Sequence, residues 1–493
     1  MRPHLAPPVG TPSAGPPSRA GRLDPARLRG ATRLAGSPRL ARLLGSTAAL
    51  WTAFLLVHAA IAVVGVVLVP EQAFWDLDLY RYWMWLGLYA GQWPVLSGPW
   101  VYPAGAVVPM LLAAVGGTGY GPGYATAWCV LVTALDAVAL AVLVRRSRAR
   151  SAPPTGAWWW VVFVALLGPI AVGRLDAVVA GPTVVALALA LDRPRVAALL
   201  LAVGAWVKVA PGALLVPLLA VVRRPWRRVV LPAVLVTLVV VGAVTAGGGI
   251  ADVASFLTEQ GGRGLQMEAP GATPWLLVGL WSPAVRRIMD ERIIAWEVVG
   301  PGTSAAAQVL SVLLVVGVAA AATLVLLVRR RLGDAWYTDR SARSELLVRG
   351  AMLLTLTLLV LNKVGSPQYM GWLAAPVAVA LALGLPRWRT TACLVLGVAV
   401  ATQVVFPWAY SEVVYAGPGI TLLLAARNAV LVVLLVHTAV ELLRPRPVGP
   451  EPAPDGTPIG EGRGDETPSA QTPTDETPTT HARADETPAD EAR

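Results

Sequence analysis

Charged side chains and cysteines are scarce in this 493-residue chain. Asp, Glu, Lys and Arg make up only 14% of the residues, whereas 56% are apolar and the mean hydropathy is +0.61. These values lie outside the range of soluble globular domains. The two cysteines, Cys129 and Cys393, both fall within apolar runs, where small buried hydrophobes are more common than disulfides or metal ligands. The composition therefore predicts an all-α polytopic membrane protein.

Several motifs of soluble enzymes are also missing. The chain has no Walker loop, no glycine-rich dinucleotide turn, no Gly-x-Ser-x-Gly elbow and no metal-ligand spacing of His, Cys and carboxylates. Nucleotide chemistry is therefore not expected and no cofactor is implied, although the DxD-type spacing of Asp76 and Asp78 is compatible with a divalent ion. The formal net charge of +11 comes from arginines at the ends of apolar runs, so a nucleic acid partner is not expected.

The arginine clusters predict the orientation of the chain in a lipid bilayer. Under the positive-inside rule, clusters such as 145–148, 223–228 and 329–331 lie in the cytoplasm. We expect a bundle of about 11–13 transmembrane helices, given the length needed to cross a bilayer. The predicted spans are 47–69, 122–144, 157–173, 176–191, 196–207, 209–222, 229–246, 304–328, 346–362, 370–385, 390–406 and 419–440. Both termini are then cytoplasmic. The heavy use of Ala, Val, Leu and Arg suggests a high-GC bacterium, and therefore a bacterial plasma membrane.

Some segments depart from ordinary spans. Segment 103–116 is short and contains Pro109, and the arginine clusters stay inside only if it does not cross, so we expect an outer juxtamembrane or re-entrant helix. Segments 196–207 and 209–222 predict two half-helices that meet at Lys208. Broken helices expose backbone groups at membrane depth, which is tolerated where they line a cavity.

The two ends of the chain differ from the middle. Residues 1–45 are rich in Pro, Gly, Ser and Arg, and residues 444–493 repeat Asp-Glu-Thr-Pro from positions 465, 475 and 485. Neither composition can build a core. We expect disordered cytoplasmic ends around a transmembrane domain of residues 46–443.

The first outer loop places two carboxylates among aromatic residues. Asp76 and Asp78 follow the first predicted span directly, within Phe74-Trp75-Asp76-Leu77-Asp78-Leu79-Tyr80. Ionisable groups at a membrane boundary are costly and often functional. A carboxylate here is suited to act as a general base, and in a helical continuation Asp76 and Tyr80 share a face while Asp78 points elsewhere.

Lysine is the rarest basic residue, since only two of the 40 basic side chains are lysines. Lys208 and Lys363 both stand where apolar runs break on the predicted outer side. An ammonium group is a compact point charge suited to a phosphate. The alternative is that both lysines extend to the outer headgroups. Arg174 and Arg263 would join them in a cationic outer pocket, unless Arg174 forms a salt bridge with Asp176.

Other polar groups lie inside predicted spans. Asp136 and Arg427 are expected to pair, either with each other or with substrate, because an unpaired charge in a span costs roughly 2.5–3.5 kcal/mol on insertion scales. His58 and His437 are expected to be satisfied core groups. None of these residues is assigned to the site.

Several of these segments resemble glycosyltransferase family 87 of the GT-C superfamily, in its actinobacterial branch. The similarity covers about residues 47–440. It is carried, in order, by Asp76-Leu77-x-x-Tyr80-x-x-Trp83, Gly91-x-x-Pro94, Trp100-Val101-Tyr102-Pro103, Gly173-Arg174-Leu175-Asp176, Trp206-Val207-Lys208-x-x-Pro211, Gly262-Arg263-Gly264-Leu265-Gln266-x-Glu268 and Asn362-Lys363-Val364-Gly365-Ser366-Pro367-Gln368-Tyr369.

The resemblance implies a GT-C-like bundle with outer juxtamembrane helices and transfer of a hexose, typically mannose, on the outer face. The donor would be a polyprenyl-phosphate sugar and the acceptor a lipid-linked or cell-envelope glycan. Asp76 matches the proposed base of the family, and a single inverting displacement is expected, with Asp78 orienting the acceptor or keeping Asp76 ionisable. The candidate substrate and donor-phosphate contacts are Tyr80, Tyr102, Arg174, Lys208, Arg263, Lys363 and Gln368, and no metal site is predicted.

Two other functions are compatible with the same sequence. Broken helices and intramembrane charges also mark transporters and lipid flippases, although no internal repeat is evident and the polar residues concentrate on one face. A noncatalytic membrane protein that recruits partners through the Asp-Glu-Thr-Pro tail is the third.

Overall fold

The computed structural model describes residues 44–291, 294–333 and 335–444. These residues belong to one compact unit that ends at Arg444. The predictions for segments 1–43 and 445–493, including the Asp-Glu-Thr-Pro repeats, lie outside the described residues.

The described residues form twenty α-helices and one two-stranded sheet. In chain order the helices are α1 Thr47–Val63, α2 Pro70–Ala73, α3 Trp75–Ala90, α4 Val107–Ala113, α5 Gly123–Arg148, α6 Thr155–Leu167, α7 Leu175–Leu189, α8 Pro194–Val207, α9 Ala210–Ala213, α10 Leu215–Val221, α11 Leu231–Ala246, α12 Ser255–Gly261, α13 Thr273–Val278, α14 Thr303–Arg331, α15 Ala335–Thr338, α16 Arg340–Val360, α17 Ala374–Ala382, α18 Arg389–Gln403, α19 Tyr410–Val414 and α20 Pro418–Leu443, and the strands are β1 Arg286–Asp290 and β2 Ala295–Val299. Turns of π-helix at Val64–Leu68, Trp226–Val230 and Val404–Trp408 extend α1, α11 and α18.

Six of these helices, with their extensions, are long and apolar enough to cross a membrane. They are Thr47–Leu68, Gly123–Arg148, Trp226–Ala246, Thr303–Arg331, Arg389–Trp408 and Pro418–Leu443. The prediction of an all-α polytopic membrane protein is therefore confirmed. The other predicted spans coincide with helices that are shorter, such as α7, or that begin with several charges, such as α16. The number of spans, which the length needed to cross a bilayer predicts as about 11–13, stays a prediction.

The predicted break at Lys208 is present. Helix α8 ends at Val207, Lys208 is extended with φ −149° and ψ 130°, and α9 begins at Ala210. Pro211 lies in the first turn of α9, where its missing N–H costs no hydrogen bond. The break leaves Lys208 between two helix ends, with its side chain directed sideways into the bundle.

Segment 103–116 forms α4 flanked by two 3₁₀ turns, Ala104–Ala106 and Ala114–Gly116. At about 1.5 Å per residue, this segment is shorter than the ~30 Å hydrocarbon core of a bilayer. Its length therefore agrees with the prediction that it does not cross.

The segment between the predicted spans 229–246 and 304–328 contains an antiparallel hairpin that the sequence analysis missed. Strands β1 and β2 pair in the register Arg286↔Val299 to Asp290↔Ala295. Residues 265–267 add to the free edge of β2, since Val298 N donates to Leu265 O at 2.9 Å and Met267 N donates to Trp296 O at 3.0 Å. The hairpin thus fixes the backbone that follows Arg263.

The best-buried helices are α7, α16 and α17, where most residues are buried. In contrast, only 11% of the apolar window of α14 is buried, so this helix presents its surface to lipid. Helix α7 enters the core directly from the turn that carries Arg174, and helix α3 packs on its N-terminal end through Tyr80.

Candidate functional site

The N-terminal turn of α3 positions Asp76. Carboxylates are favourable there because the helix dipole places partial positive charge at this end. Tyr80 lies one turn later on the same face, and its hydroxyl is 3.5 Å from Asp76 Oδ2. Asp78 points elsewhere, as the helical spacing predicts: its side chain is 67% exposed and its Oδ1 accepts a hydrogen bond from Arg81 Nε at 3.0 Å.

Arg174 pairs with Asp76 at a distance of 3.2 Å between Nη1 and Oδ1. Arg174 is the residue that precedes α7, and its extended backbone directs the side chain back towards α3. Its side chain is only 5% exposed, whereas that of Asp76 is 24% exposed. The adjacent Leu175 N donates to the Tyr80 hydroxyl at 3.3 Å. Asp76 is therefore held on one side and accessible on the other.

Asp176 pairs with Lys208, with 3.2 Å between Oδ2 and Nζ. The predicted alternative, a local salt bridge between Arg174 and Asp176, is wrong, because each residue has its partner in a different segment. The indole N–H of Trp372 donates to Asp176 Oδ1 at 2.7 Å. A buried ion pair is stable only when its remaining polar atoms are also bonded, and Trp372 supplies one such bond.

Lys208 lies inside the protein and does not extend to the headgroups. Its Nζ is 4.9 Å from the ring centroid of Tyr102 and 5.3 Å from that of Tyr369, which is cation–π geometry. Burial opposes the charged form, but the Asp176 carboxylate outweighs this effect and raises the pKa of Lys208 above its ordinary value. Lys208 is therefore a fixed cation at neutral pH.

Arg263 and Lys363 form a second cationic group. Arg263 lies in the loop next to the hairpin, and Lys363 lies in the turn before Pro367. Lys363 Nζ donates to Gly261 O at 2.8 Å, and Lys363 O accepts from Gln266 N at 3.0 Å. Burial lowers the pKa of Lys363, with Glu297 acting in the opposite direction and Arg263 adding to the decrease. Within the described ranges Arg263 has no ion pair, and its buried Nε lacks a hydrogen-bond partner.

Tyr369 connects the two groups of charges. Burial raises the pKa of its hydroxyl, and the charges of Lys208, Asp176, Arg263 and Asp76 all act on this group. The predicted residues Asp76, Lys208 and Arg263 therefore all lie near Tyr369, which the sequence analysis quoted in a family motif but did not assign to the site. Trp372 belongs to the same segment as Gln368, and that proximity was its only signal.

Two other predicted residues, Tyr102 and Gln368, have contacts of their own. Tyr102 packs edge-on against Tyr80, with 6.3 Å between ring centroids, and burial raises its pKa. The Ser366 hydroxyl donates to Gln368 Oε1 at 2.6 Å, and Gln368 lines a small cavity with Asp136 and Asp176.

The charges inside the spans have partners other than those predicted. Arg427 Nη1 is 2.8 Å from Glu268 Oε2, and Asp136 Oδ2 is 3.2 Å from His58 Nε2. The predicted pairing of Asp136 with Arg427 is therefore wrong, since both partners come from segments that the sequence pattern does not connect. His58 is satisfied as predicted, whereas the buried His437 Nε2 has no hydrogen-bond partner in the part of the chain that the structure describes.

No group of three or more potential metal ligands occurs among the described residues. Asp76 and Asp78 engage different arginines, so their side chains do not converge on a common cation. The expectation that no cofactor is needed stays a prediction.

Comparison with known proteins adds one finding. Residues 100–288 match the family model described as glycosyltransferase family 87. The matched range contains Tyr102, Arg174, Lys208 and Arg263, whereas Asp76 precedes it. No curated protein and no solved structure matches the chain.

Proposed function

Because residues 100–288 carry a glycosyltransferase family 87 domain within a polytopic membrane protein, we propose that the chain transfers a hexose from a polyprenyl-phosphate donor to a lipid-linked or cell-envelope glycan. The family resemblance favours mannose. The reaction takes place on the outer face of a bacterial plasma membrane, with both termini in the cytoplasm, and the donor tail lies in the bilayer.

The observation that carries this proposal is that Asp76 is paired and yet partly exposed. Its carboxylate is held by Arg174 and faces Tyr80, yet about a quarter of the side chain, 24%, remains exposed. A sugar hydroxyl is a poor nucleophile, and a positioned carboxylate that accepts its proton contributes about 10²- to 10⁴-fold to the rate. An acceptor hydroxyl can reach Asp76 from its open side without breaking the ion pair.

In the proposed step the acceptor oxygen forms a bond to the anomeric carbon while its proton passes to Asp76. The bond from the anomeric carbon to the phosphate oxygen breaks, and the electron pair leaves with the polyprenyl phosphate. Attack from the side opposite the leaving group inverts the anomeric configuration. No metal or nucleotide is required for this balance.

Negative charge develops on the departing phosphate, and fixed cations nearby stabilise the transition state. Arg174 and Lys208 are each neutralised by a carboxylate, Asp76 and Asp176. Arg263 has no such partner among the described residues, and Lys363 donates only to a backbone carbonyl. We therefore assign the donor phosphate to Arg263 and Lys363, with Lys208 closing the site from the bundle side.

Membrane vesicles that contain the protein test this proposal. Supplied with a polyprenyl-phosphate sugar and a cell-envelope glycolipid fraction, they should form a product with one additional hexose, detected by mass spectrometry. A nucleotide sugar alone should give no product. Net movement of the polyprenyl lipid between leaflets without covalent transfer would instead support the transporter alternative.

A further inference from the structure

A small cavity lies directly behind the candidate site, between α5, α6, α7 and the turn Pro367–Leu373. Its wall is apolar except for four side chains, Asp136, Trp160, Asp176 and Gln368. Asp176 therefore contacts the candidate site through Lys208 on one side and lines the cavity on its other side.

Several polar atoms on this wall lack a directed hydrogen bond from the protein. Asp136 Oδ1 and Trp160 Nε1 are fully buried without a hydrogen bond, and Asp176 Oδ2 receives no directed hydrogen bond although Lys208 Nζ is 3.2 Å away. Gln368 Oε1 is occupied by Ser366, which leaves the amide NH₂ as its free donor. Buried polar groups are almost always satisfied, by protein or by ordered water. The cavity thus offers two acceptors and two donors.

We propose that this cavity holds ordered water, about one or two molecules by its size, which donates to Asp136 and Asp176 and accepts from Trp160 and Gln368. Two donated and two accepted hydrogen bonds are the full complement of a water molecule. The cavity is both polar and large enough, the two conditions for a buried water.

The charge balance selects water over a metal cation. His58 Nδ1 is 3.0 Å from Phe54 O and must carry a proton to bond this carbonyl, so one further proton is shared between His58 Nε2 and Asp136 Oδ2. The His58–Asp136 pair is therefore neutral overall, and Asp176 is balanced by Lys208. A cation would find no net negative charge, and the Trp160 N–H would oppose it.

This water joins the His58–Asp136 pair, inside the bundle, to Asp176 and hence to Lys208. Asp136 is accordingly a positioning residue for Lys208, and this consequence rests on the proposed function. Asp136→Asn should raise the apparent KM for the polyprenyl-phosphate donor several-fold while kcat changes little.

X-ray radiolytic footprinting of the full chain in lipid nanodiscs tests the water directly, without any assay of activity. Hydroxyl radicals form from bound water and oxidise adjacent side chains even when these are buried. Trp160 and Phe163, which are 1% and 2% exposed and line the cavity, should be oxidised at least several-fold faster than Trp128, which is 0% exposed, lies outside the cavity wall and donates its indole N–H to Val172 O. Ala180→Leu, which fills the cavity, should lower the Trp160 rate to that of Trp128.

Equal oxidation of Trp160 and Trp128 in the unmodified protein would show a dry cavity and overturn the proposal, whether or not Ala180→Leu folds. A Trp160 rate that rises when sodium and potassium are replaced by choline would show a bound cation instead and would also overturn it. Either result is independent of sugar transfer, so failure of the proposed function does not decide this inference.

Discussion

At the scale of single residues, the charged side chains of the site pair with residues from other segments and not with their neighbours in the sequence. Arg174 and Asp176 are two positions apart, yet each pairs with a residue from another segment. The result separates two kinds of cation. Arg174 and Lys208 hold carboxylates, whereas Arg263 keeps an unpaired guanidinium among the described residues.

The Lys208–Asp176 pair should be primarily structural. Removing one partner of a buried ion pair leaves an uncompensated charge and typically costs about 3–5 kcal/mol. We therefore expect Lys208→Met to lower the free energy of unfolding by that amount, and Lys208→Met combined with Asp176→Asn to recover most of it. Thermal unfolding in detergent, analysed as a double-mutant cycle, measures this coupling; additive losses would show that the two side chains do not interact.

Arg263 should act on donor binding and not on stability. A charged hydrogen bond to phosphate contributes about 1.5–3 kcal/mol, so Arg263→Gln should raise the donor KM by roughly 10-fold or more. The unfolding temperature should stay unchanged because no ion pair is lost. The matched control is Arg286→Gln, which changes an exposed arginine between the same two spans and should keep the normal KM. A similar KM for both variants would remove Arg263 from the donor site.

At the scale of elements, the loop that carries Arg263 is fixed from two directions. The hairpin β1–β2 binds residues 265–267 through backbone hydrogen bonds. Arg427 of α20 holds Glu268 with a 2.8 Å ion pair and donates to Glu268 O at 3.0 Å. On the other side, the turn before Pro367 packs against the same backbone. Arg263 is thus carried by a loop with little freedom to move.

Gly365 is the closest of these contacts. A Cβ atom added there would be 2.0 Å from Ala269 N and 2.4 Å from Glu268 C, both backbone atoms that cannot give way easily. We expect Gly365→Ala to lower the free energy of unfolding by about 1–3 kcal/mol, as overpacking does, and to raise the donor KM.

Gly397→Ala is the control for this prediction, because a Cβ at Gly397 meets nothing within 4 Å and the residue lies inside α18. Alanine is the better helix former by about 0.8–1 kcal/mol, so this variant should be neutral or slightly more stable. Equal stability of the two variants in thermal unfolding would contradict the close packing at Gly365.

At the scale of the whole molecule, the sequence predicts the helices well and their contacts poorly. Hydrophobic length and arginine clusters locate the spans, and Lys208 followed by Pro211 predicts the break, because these signals are local. The hairpin lacks a strong turn signal, so the sequence pattern does not predict its two strands. The pairs Arg174–Asp76, Asp136–His58 and Arg427–Glu268 join residues far apart in the chain, and tertiary packing alone determines them.

The predicted orientation is a property of the whole chain. With Cys129 and Cys393 replaced, a single cysteine at Tyr120, which is 97% exposed, should react with an impermeant maleimide on intact cells. A cysteine at the exposed Ser151, next to an arginine cluster, should react only after permeabilisation. Labelling of both positions on the same side would refute the proposed topology.

The central claim is that Asp76 is the general base, and the comparison of Asp76→Asn with Asp78→Asn tests it most directly. Both carboxylates lie in the first turn of α3, but only Asp76 pairs with Arg174. In vesicles supplied with a polyprenyl-phosphate sugar, Asp76→Asn should lower transfer by about 10²-fold or more at normal expression, the contribution expected of a general base, whereas Asp78→Asn should remain near the wild-type rate. Near-normal transfer by Asp76→Asn would contradict the account.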